Sequence, residues 1–325
     1  LNTPMHDEFF DVEVTETDPA SDSVLALRLE HPRGEALPPW EAGAHVDVML
    51  PNGLLRQYSL CSRPEDSFWR LGVLREPQGR GGSAWIHNEL RPGTKLQVRG
   101  PRNNFSLKAA PLYLFIAGGI GITPILPMIR QADATDLDWK LIYLGRNRTS
   151  MAFLEELAVY GDRVHIHTDD VSGLFPLEPL LDGLDASTHV YACGPGPLLN
   201  ALEKLTGEWP GPNRYHSERF VSRLITDSDS DSDSTTLDTE FSVEIADGTE
   251  VLVPPGTSVL EALMESGIPV LNSCREGICG TCETPVISGE IDHRDTLLSE
   301  EERKAGDTMM ICVSRCLGKR LVLDI

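Results

Sequence analysis

C-R-E-G-I-C-G-T-C at residues 274–282, with a further cysteine after 29 intervening residues in M-I-C-V-S-R, decides how the rest of the chain is read. The spacing C-x4-C-x2-C…C brings three thiolates from one tight loop and a fourth from a distant segment. Four converging thiolates, Cys274, Cys279, Cys282 and Cys312, are what two bridged irons need, so the expected ligand is a 2Fe-2S cluster. Gly277 and Gly280 allow backbone twists and a close approach that a Cβ would hinder. The competing reading is structural zinc, which usually takes two C-x2-C knuckles or a Cys/His mixture. A cluster implies that the chain moves single electrons.

Around this loop the C-terminal piece reads as a small domain. F-S-V-E-I-A-D-G-T-E-V-L-V, from Phe241, is an alternating strand, a D-G turn and a second strand. T-S-V-L-E-A-L-M-E-S-G-I, from Thr257, is a helix with an N-cap Thr or Ser and Gly267 at its end. This ββα order with the cysteine loop after it resembles the β-grasp ferredoxins. From Glu240 to Ile325 there are 16 acids against 7 basic residues. Just ahead lies T-D-S-D-S-D-S-D-S-T-T, residues 226–236. Alternating Ser and Asp cannot bury a core and like charges keep the segment extended, so 226–239 is expected to be a linker.

The preceding residues divide near 108. Strand-like runs alternate with Pro/Gly turns over 9–107, with little helix: an antiparallel β-barrel is expected. From Leu112 strands alternate with helical stretches, the pattern of a parallel, doubly wound α/β sheet. The expected domains are therefore 1–108, 109–225, the linker, and 240–325.

A net charge of −22 over 325 residues argues against nucleic acid and against anionic membrane surfaces. L-N-T-P-M-H-D-E-F-F-D lacks the basic and apolar regions of a signal peptide. The 21 uncharged residues between Lys108 and Arg130 contain G-G-I-G-I-T-P, which makes a poor spanning helix and reads better as strand, glycine loop and helix start. Seven cysteines, an odd number with a metal-type cluster, point to the reducing cytoplasm.

Five segments carry candidate chemistry. In the barrel, R-Q-Y-S-L at 56–60 and G-R-G-G-S at 79–83 read either as ordinary strand and turn patterning or as flavin contacts. In the latter, Arg56 holds a phosphate, Tyr58 packs along the cofactor, Ser59 bonds its edge, and the glycine loop offers N–H groups. A-G-G-I-G-I-T-P at 117–124 leaves a buried strand and enters a helix, where glycine lets a pyrophosphate approach. Y-A-C-G-P-G-P at 191–197 ends a strand that shares the same sheet edge, so Cys193 faces that crevice or is simply a small buried residue. Arg146 and Arg148 in G-R-N-R-T contact the adenosine half of a dinucleotide or are surface charges.

Taken in order, R-x-Y-S-L, G-R-G-G-S, G-P-R-N-N-F (100–105), G-G-I-G-I-T-P, C-G-P and a tethered C-x4-C-x2-C ferredoxin are similar to the phthalate dioxygenase reductase family, including vanillate-demethylase-type reductases. The likeness spans the whole chain. It is greatest to the reductase portions of self-sufficient haem-thiolate (cytochrome P-450) monooxygenases, which share R-Q-Y-S-L-C, G-R-N-R, Y-A-C-G-P-G and D-H-R-D-T. The resemblance implies FMN rather than FAD, NADH or NADPH, and a 2Fe-2S cluster. It puts Arg56, Gln57, Tyr58 and Ser59 in the flavin motif, Val73, Leu74 and Arg75 on the next strand, and Arg80, Gly81, Gly82 and Ser83 in the phosphate loop. Gly118, Gly119, Gly121, Thr123 and Pro124 fall in the nicotinamide loop, with Cys193, Gly194 and Pro195 in its partner and Arg146 and Arg148 beside them. H-S-E-R-F at 216–220 brings Glu218 near the flavin–nicotinamide contact and adds Phe220 to the cofactor residues. The catalytic set so implied is Ser59, Thr123, Cys193 and Glu218. One departure is Ser217, where some members carry an aromatic; a shielding ring then comes from Tyr215 or Phe220, or is absent.

The expectation is an electron-transfer flavoenzyme passing electrons from nicotinamide through FMN and the cluster to an oxygenase, of haem-thiolate or Rieske type, separate or fused ahead of residue 1. The alternative is a redox sensor that does not turn over. Arg146 and Arg148 offer charge to a 2′-phosphate, and no acidic residue in G-R-N-R-T-S awaits a ribose 2′-hydroxyl. The family resemblance implies either nucleotide, which leaves NADH against NADPH open, with NADH the expected donor.

Overall fold

The computed structural model describes residues 8–325 apart from 77–80, 208, 210–213, 221–237, 273, 274, 276, 278, 279, 296 and 299. Arg80, Cys274, Cys279 and most of the expected linker therefore lie outside the described residues.

Runs of alternating Val and Leu build the first sheet: β1 (Phe10–Pro19), β2 (Val24–Glu30), β3 (His45–Met49), β4 (Leu55–Ser59), β5 (Trp69–Leu74) and, after helix α1 (Gly82–Glu89), β6 (Lys95–Arg102). They pair antiparallel in the order β4-β3-β6-β1-β2-β5, and a bridge between Leu60 and Leu71 joins the two edges into a barrel. Val12, Val14, Leu27, Leu29, Val46, Val48, Leu71 and Val73 fill its interior, with Ile86 of α1 plugging one end.

The second sheet is wholly parallel: β7 (Leu112–Gly118), β8 (Asp138–Gly145), β9 (Val164–Thr168), β10 (Thr188–Cys193) and β11 (Tyr215–Glu218), in the order β11-β10-β7-β8-β9. Alternation along β7 feeds two apolar layers. Tyr113, Phe115 and Ala117 pack with α2 (Ile122–Ala134), while Leu114 and Ile116 pack on the other side. The helices α3 (Leu154–Leu157), α4 (Asp169–Ser172) and α5 (Leu177–Asp182) are short; α6 (Gly196–Thr206) follows β10. Because β8 lies on one side of β7 and β10 on the other, the connections diverge at the β7/β10 ends, the switch point where ligands bind in such sheets.

The C-terminal sheet is mixed. β12 (Phe241–Ile245) and β13 (Glu250–Val253) form the expected hairpin, with Gly248 at φ 87° in its turn. Ser258 and Glu261 close a reciprocal capping box on α7 (Val259–Glu265), whose Val259, Leu260 and Leu263 are buried. Then come β14 (Glu283–Ser288), β15 (Ile291–Asp292), α8 (Glu300–Ala305), β16 (Thr308–Met310), β17 (Arg315–Cys316) and β18 (Arg320–Leu323). The order is β13-β12-β18-β14-β16, with β12 and β18 parallel, the β-grasp arrangement.

The chain forms two compact units, Leu1–Arg219 and Phe220–Ile325. Barrel and parallel sheet thus share one unit and meet along a seam. Among the described residues no helix is long and apolar enough to cross a membrane.

Candidate functional site

On the barrel, β4 carries the R-Q-Y-S run. The Arg56 side chain bonds back to the Leu55 carbonyl, 2.7 Å from Nη1. It lies so close to the start of α1 that a Cβ on Gly82 would come within 2.4 Å of its Nε. Gly81, at φ 82°, enters that helix without a side-chain cap, so first-turn N–H groups face the same place as the guanidinium. Burial pushes the Tyr58 phenol well above its ordinary range despite nearby Arg56, and it stays a neutral hydroxyl. Gln57 Nε2 donates to Asp47, 3.3 Å away. Ser83 Oγ accepts from the Glu76 N–H at 3.1 Å, and Arg75 Nη2 donates to Asn88 Oδ1 at 3.2 Å. Next to Arg75, the Val73 carbonyl is 2.8 Å from His87 Nε2, and Leu74 is half-buried.

At the switch point the two glycine loops pack backbone on backbone. A Cβ on Gly121 would sit 2.1 Å from the Cys193 carbonyl oxygen, and one on Gly118 2.6 Å from Pro195 Cδ. Gly119 takes φ 54°. Thr123 is buried and donates to the Ile120 carbonyl at 2.9 Å, with Pro124 buried behind it on α2. A Cβ on Gly72 of β5 would come within 2.8 Å of Thr123 Cγ2. The nucleotide loop therefore touches the barrel next to Val73. Gly194 and Pro195 border the crevice, and Arg146 and Arg148 are exposed beyond β8.

Ser59, Cys193 and Glu218 come together at this seam. Cys193 pairs in register with Glu218 across β10 and β11. It is fully buried, and that burial, helped by the Glu218 charge, holds its thiol far above the usual value. His45 is paired with Ser59 across β3 and β4, and its Nδ1 is 3.7 Å from Glu218 Oε1. The Ser59 hydroxyl, both His45 ring nitrogens and Glu218 Oε2 are buried with no hydrogen-bond partner. An unpaired buried polar group costs about 1–3 kcal/mol, so orphans gathered at one seam fit a site completed by a bound molecule. Together with the cradle of Arg56 and Gly82, they fit a flavin mononucleotide.

In the second unit Cys282 and Cys312 are buried. Gly277, at φ 69°, donates its N–H to Cys312 Sγ at 3.3 Å, and a Cβ there would lie 2.5 Å from Val313 Cγ2 and 3.0 Å from Asp295 Cα. A backbone N–H aimed at a thiolate sulfur, in a loop that only glycine can trace, fits an iron–sulfur cluster. Asp295 braces this region, its Oδ2 accepting from the N–H groups of Leu297 and Leu298 at 3.1 and 2.9 Å. Phe220 falls at the start of this unit, and Tyr215 remains in the first, half-buried with its phenol pushed up by burial.

Sequence reasoning missed His45, Asp47 and Asp295. The first two share the outer face of β3. Asp47 is fully buried, bonded by Arg99 (2.6 and 3.0 Å) and Arg102 (2.7 Å). Asp295 stands inside D-H-R-D-T, a motif without an evident role until the fold puts it behind Gly277.

Residues 243–317 match the 2Fe-2S iron-sulfur cluster binding domain family. The chain is 38% identical over 329 residues to the phthalate 4,5-dioxygenase oxygenase reductase subunit of Pseudomonas putida, covering 99% of this chain and 98% of that one. It is 36% identical to the crystal structure of phthalate dioxygenase reductase, described as a modular structure for electron transfer from pyridine nucleotides to [2Fe-2S], with TM-score 0.72 and complete coverage of both chains. It is also 41% identical to an intact type IV self-sufficient cytochrome P450 monooxygenase, with TM-score 0.84 over 98% of this chain but only 41% of that longer one. Its cofactors are FMN, a nicotinamide dinucleotide and a 2Fe-2S cluster. The chain belongs to the phthalate dioxygenase reductase family, reductases of oxygenase systems that carry electrons from pyridine nucleotide through flavin to a 2Fe-2S centre.

Proposed function

We propose that this reductase serves a haem-thiolate monooxygenase, favouring NADH as donor, with Ser59, Thr123, Cys193 and Glu218 lining the place of hydride transfer. The observation that carries the site is the seam itself. Orphaned polar atoms of the barrel face the nucleotide sheet where its two glycine loops abut. The haem-thiolate acceptor is supported by the TM-score of the fused monooxygenase, 0.84 against 0.72 for phthalate dioxygenase reductase.

When bound, the flavin and cluster supply the conversion of a two-electron donor into single electrons. The chain's residues fix geometry and exclude water. Arg56, with the first turn of α1 at Gly81, Gly82 and Ser83, holds the FMN phosphate, a charge-assisted contact reinforced by the helix N–H groups. Tyr58 covers the ring as an uncharged phenol, and Ser59 offers its free hydroxyl to the ring edge. Gly118, Gly119, Gly121 and Gly194 leave room for the dinucleotide, with Thr123 and Pro124 turning the chain away into α2. Cys193 presents a neutral thiol, because burial keeps its proton on. Glu218 places a carboxylate beside it. Arg146 and Arg148 flank the adenosine end. Cys274, Cys279, Cys282 and Cys312 ligate the cluster.

Anaerobic rapid mixing with NADH and, separately, NADPH tests the reading. The expected result is bleaching of the flavin, then of the cluster, sustained cytochrome c reduction and a faster reaction with NADH. A single reduction without turnover would support a sensor instead.

A further inference from the structure

Barrel strand β3 reads H-V-D-V-M over residues 45–49. Val46 and Val48 enter the barrel core, so His45 and Asp47 project from its outer face. Asp47 is fully occupied by Arg99, Arg102 and Gln57. His45 is different. It is 3% exposed and neither ring nitrogen has a hydrogen-bond partner. Its backbone partner across the ladder is Ser59, and the side chain facing it from the other module is Glu218, 3.7 Å away.

We propose that His45 is the positioning residue for Glu218: its imidazole reaches the carboxylate across the seam, directly or through one water, and ties its placement and proton to the flavin edge at Ser59. The inference rests on the site assignment above and deepens it. The gap of 3.7 Å is slightly beyond a hydrogen bond and closes with a small movement of either module. Orphan nitrogens on one side and an orphan Oε2 on the other are complementary, since a neutral imidazole carries one donor and one acceptor and a carboxylate only acceptors. The surrounding charges leave the pair to each other. Arg102 and Arg99 of β6 are engaged by Asp47 of the same strand as His45, and from β10 the Cys193 thiol is kept protonated by burial. No other described carboxylate forms an ion pair with His45.

The test is a double-mutant cycle on the holoenzyme with His45→Gln, Glu218→Gln and the double variant, each checked for flavin and iron content. Each single variant should slow flavin reduction about 10- to 100-fold, as misplacement of a reacting geometry does, with the nucleotide KM nearly unchanged. If His45 acts through Glu218, the double variant should be no slower than Glu218→Gln within about threefold. Multiplying losses overturn the proposal. The flavin midpoint potential is followed electrochemically against pH in the same set. An inflection present in the parent and absent from both single variants is expected; one that persists in His45→Gln also overturns it. The electrode needs no nucleotide. A parent that fails to accept hydride would thus sink the functional reading while the potential still decides the role of His45.

Discussion

Arg70 on β5 and Glu156 on α3 form a bidentate pair across the seam between barrel and parallel sheet, Nη1 to Oε1 at 2.6 Å and Nη2 to Oε2 at 3.0 Å. Arg130 of α2 closes on the same carboxylate, and both guanidiniums donate to the carbonyl of Cys61, at 3.0 and 2.9 Å. One carboxylate therefore ties a barrel strand to two helices of the nucleotide sheet. Ser59 and Glu218 belong to the two sides that this tie joins.

Glu156→Gln should loosen the seam. Burial pushes this carboxyl up, but the hydrogen bonds and charges of Arg70 and Arg130 outweigh it and hold its pKa below the ordinary carboxylate value. A folded pKa lowered in this way contributes stability above the unfolded value of about 4.3, and the contribution is lost as pH falls through the folded value. At neutral pH the substitution should cost about 1–3 kcal/mol and lower the thermal midpoint by about 2–4 °C per kcal/mol. The gap between parent and variant should shrink below about pH 4. Thermal melts at pH 7 and at about pH 3 read both effects, and a gap that widens in acid contradicts the account.

Gly121→Ala should separate nucleotide chemistry from flavin binding. The new Cβ would meet a backbone carbonyl, that of Cys193, at 2.1 Å, and no side-chain rotation relieves it. The loops must part, and displacement of about 1 Å at a reacting centre costs about 100-fold in rate. Flavin and iron content should stay at parental levels and dithionite should still reduce both centres. Stopped-flow reduction by NADH at the parental rate would refute this.

The cysteine loop and both glycine loops were legible because their chemistry constrains spacing, and the parallel character of the second sheet followed from strand–helix alternation, though its strand order did not. His45 and Asp47 were not. Period-two alternation with Val46 and Val48 marks them as outward-facing, which in a lone barrel means solvent. His45 is 3% exposed beside Glu218 of the parallel sheet, and Asp47 is 0% exposed under Arg99 and Arg102 of β6 and Gln57 of β4. Long-range burial of this kind leaves no local pattern. The same limit applies to Glu156, an ordinary acid in L-E-E-L until the seam brings Arg70 to it.

Asp47→Asn should be the most damaging substitution on the barrel. The change leaves buried Arg99 and half-buried Arg102 with no counter-charge, and breaking a buried pair from one side costs about 3–5 kcal/mol. Arg99→Met in the same background should recover part of the loss by removing one unpaired charge. Denaturant titration alongside flavin content would measure both; an unaltered midpoint in Asp47→Asn would show that the network carries no stability.

Gly277→Ala and Gly280→Ala should differ although both residues have the same backbone demand. Their φ values are 69° and 71°, and placing an ordinary residue there costs about 1–3 kcal/mol in each case. The difference is in the surroundings. At Gly280 a Cβ would meet only Leu297 Cδ2 at 3.1 Å, the far end of a flexible side chain. At Gly277 it would meet Val313 Cγ2 at 2.5 Å and the Asp295 backbone at 3.0 Å, and the loop would have to withdraw the N–H that donates to Cys312 Sγ. Gly277→Ala should therefore lose most bound iron and its visible cluster absorption, while Gly280→Ala retains a large share. In both, flavin reduction by NADH should proceed as in the parent, because the flavin lies in the other compact unit, and cytochrome c reduction should fall in proportion to iron content. Equal iron loss in the two variants would mean that backbone strain alone governs the loop and that the contacts of Gly277 are incidental.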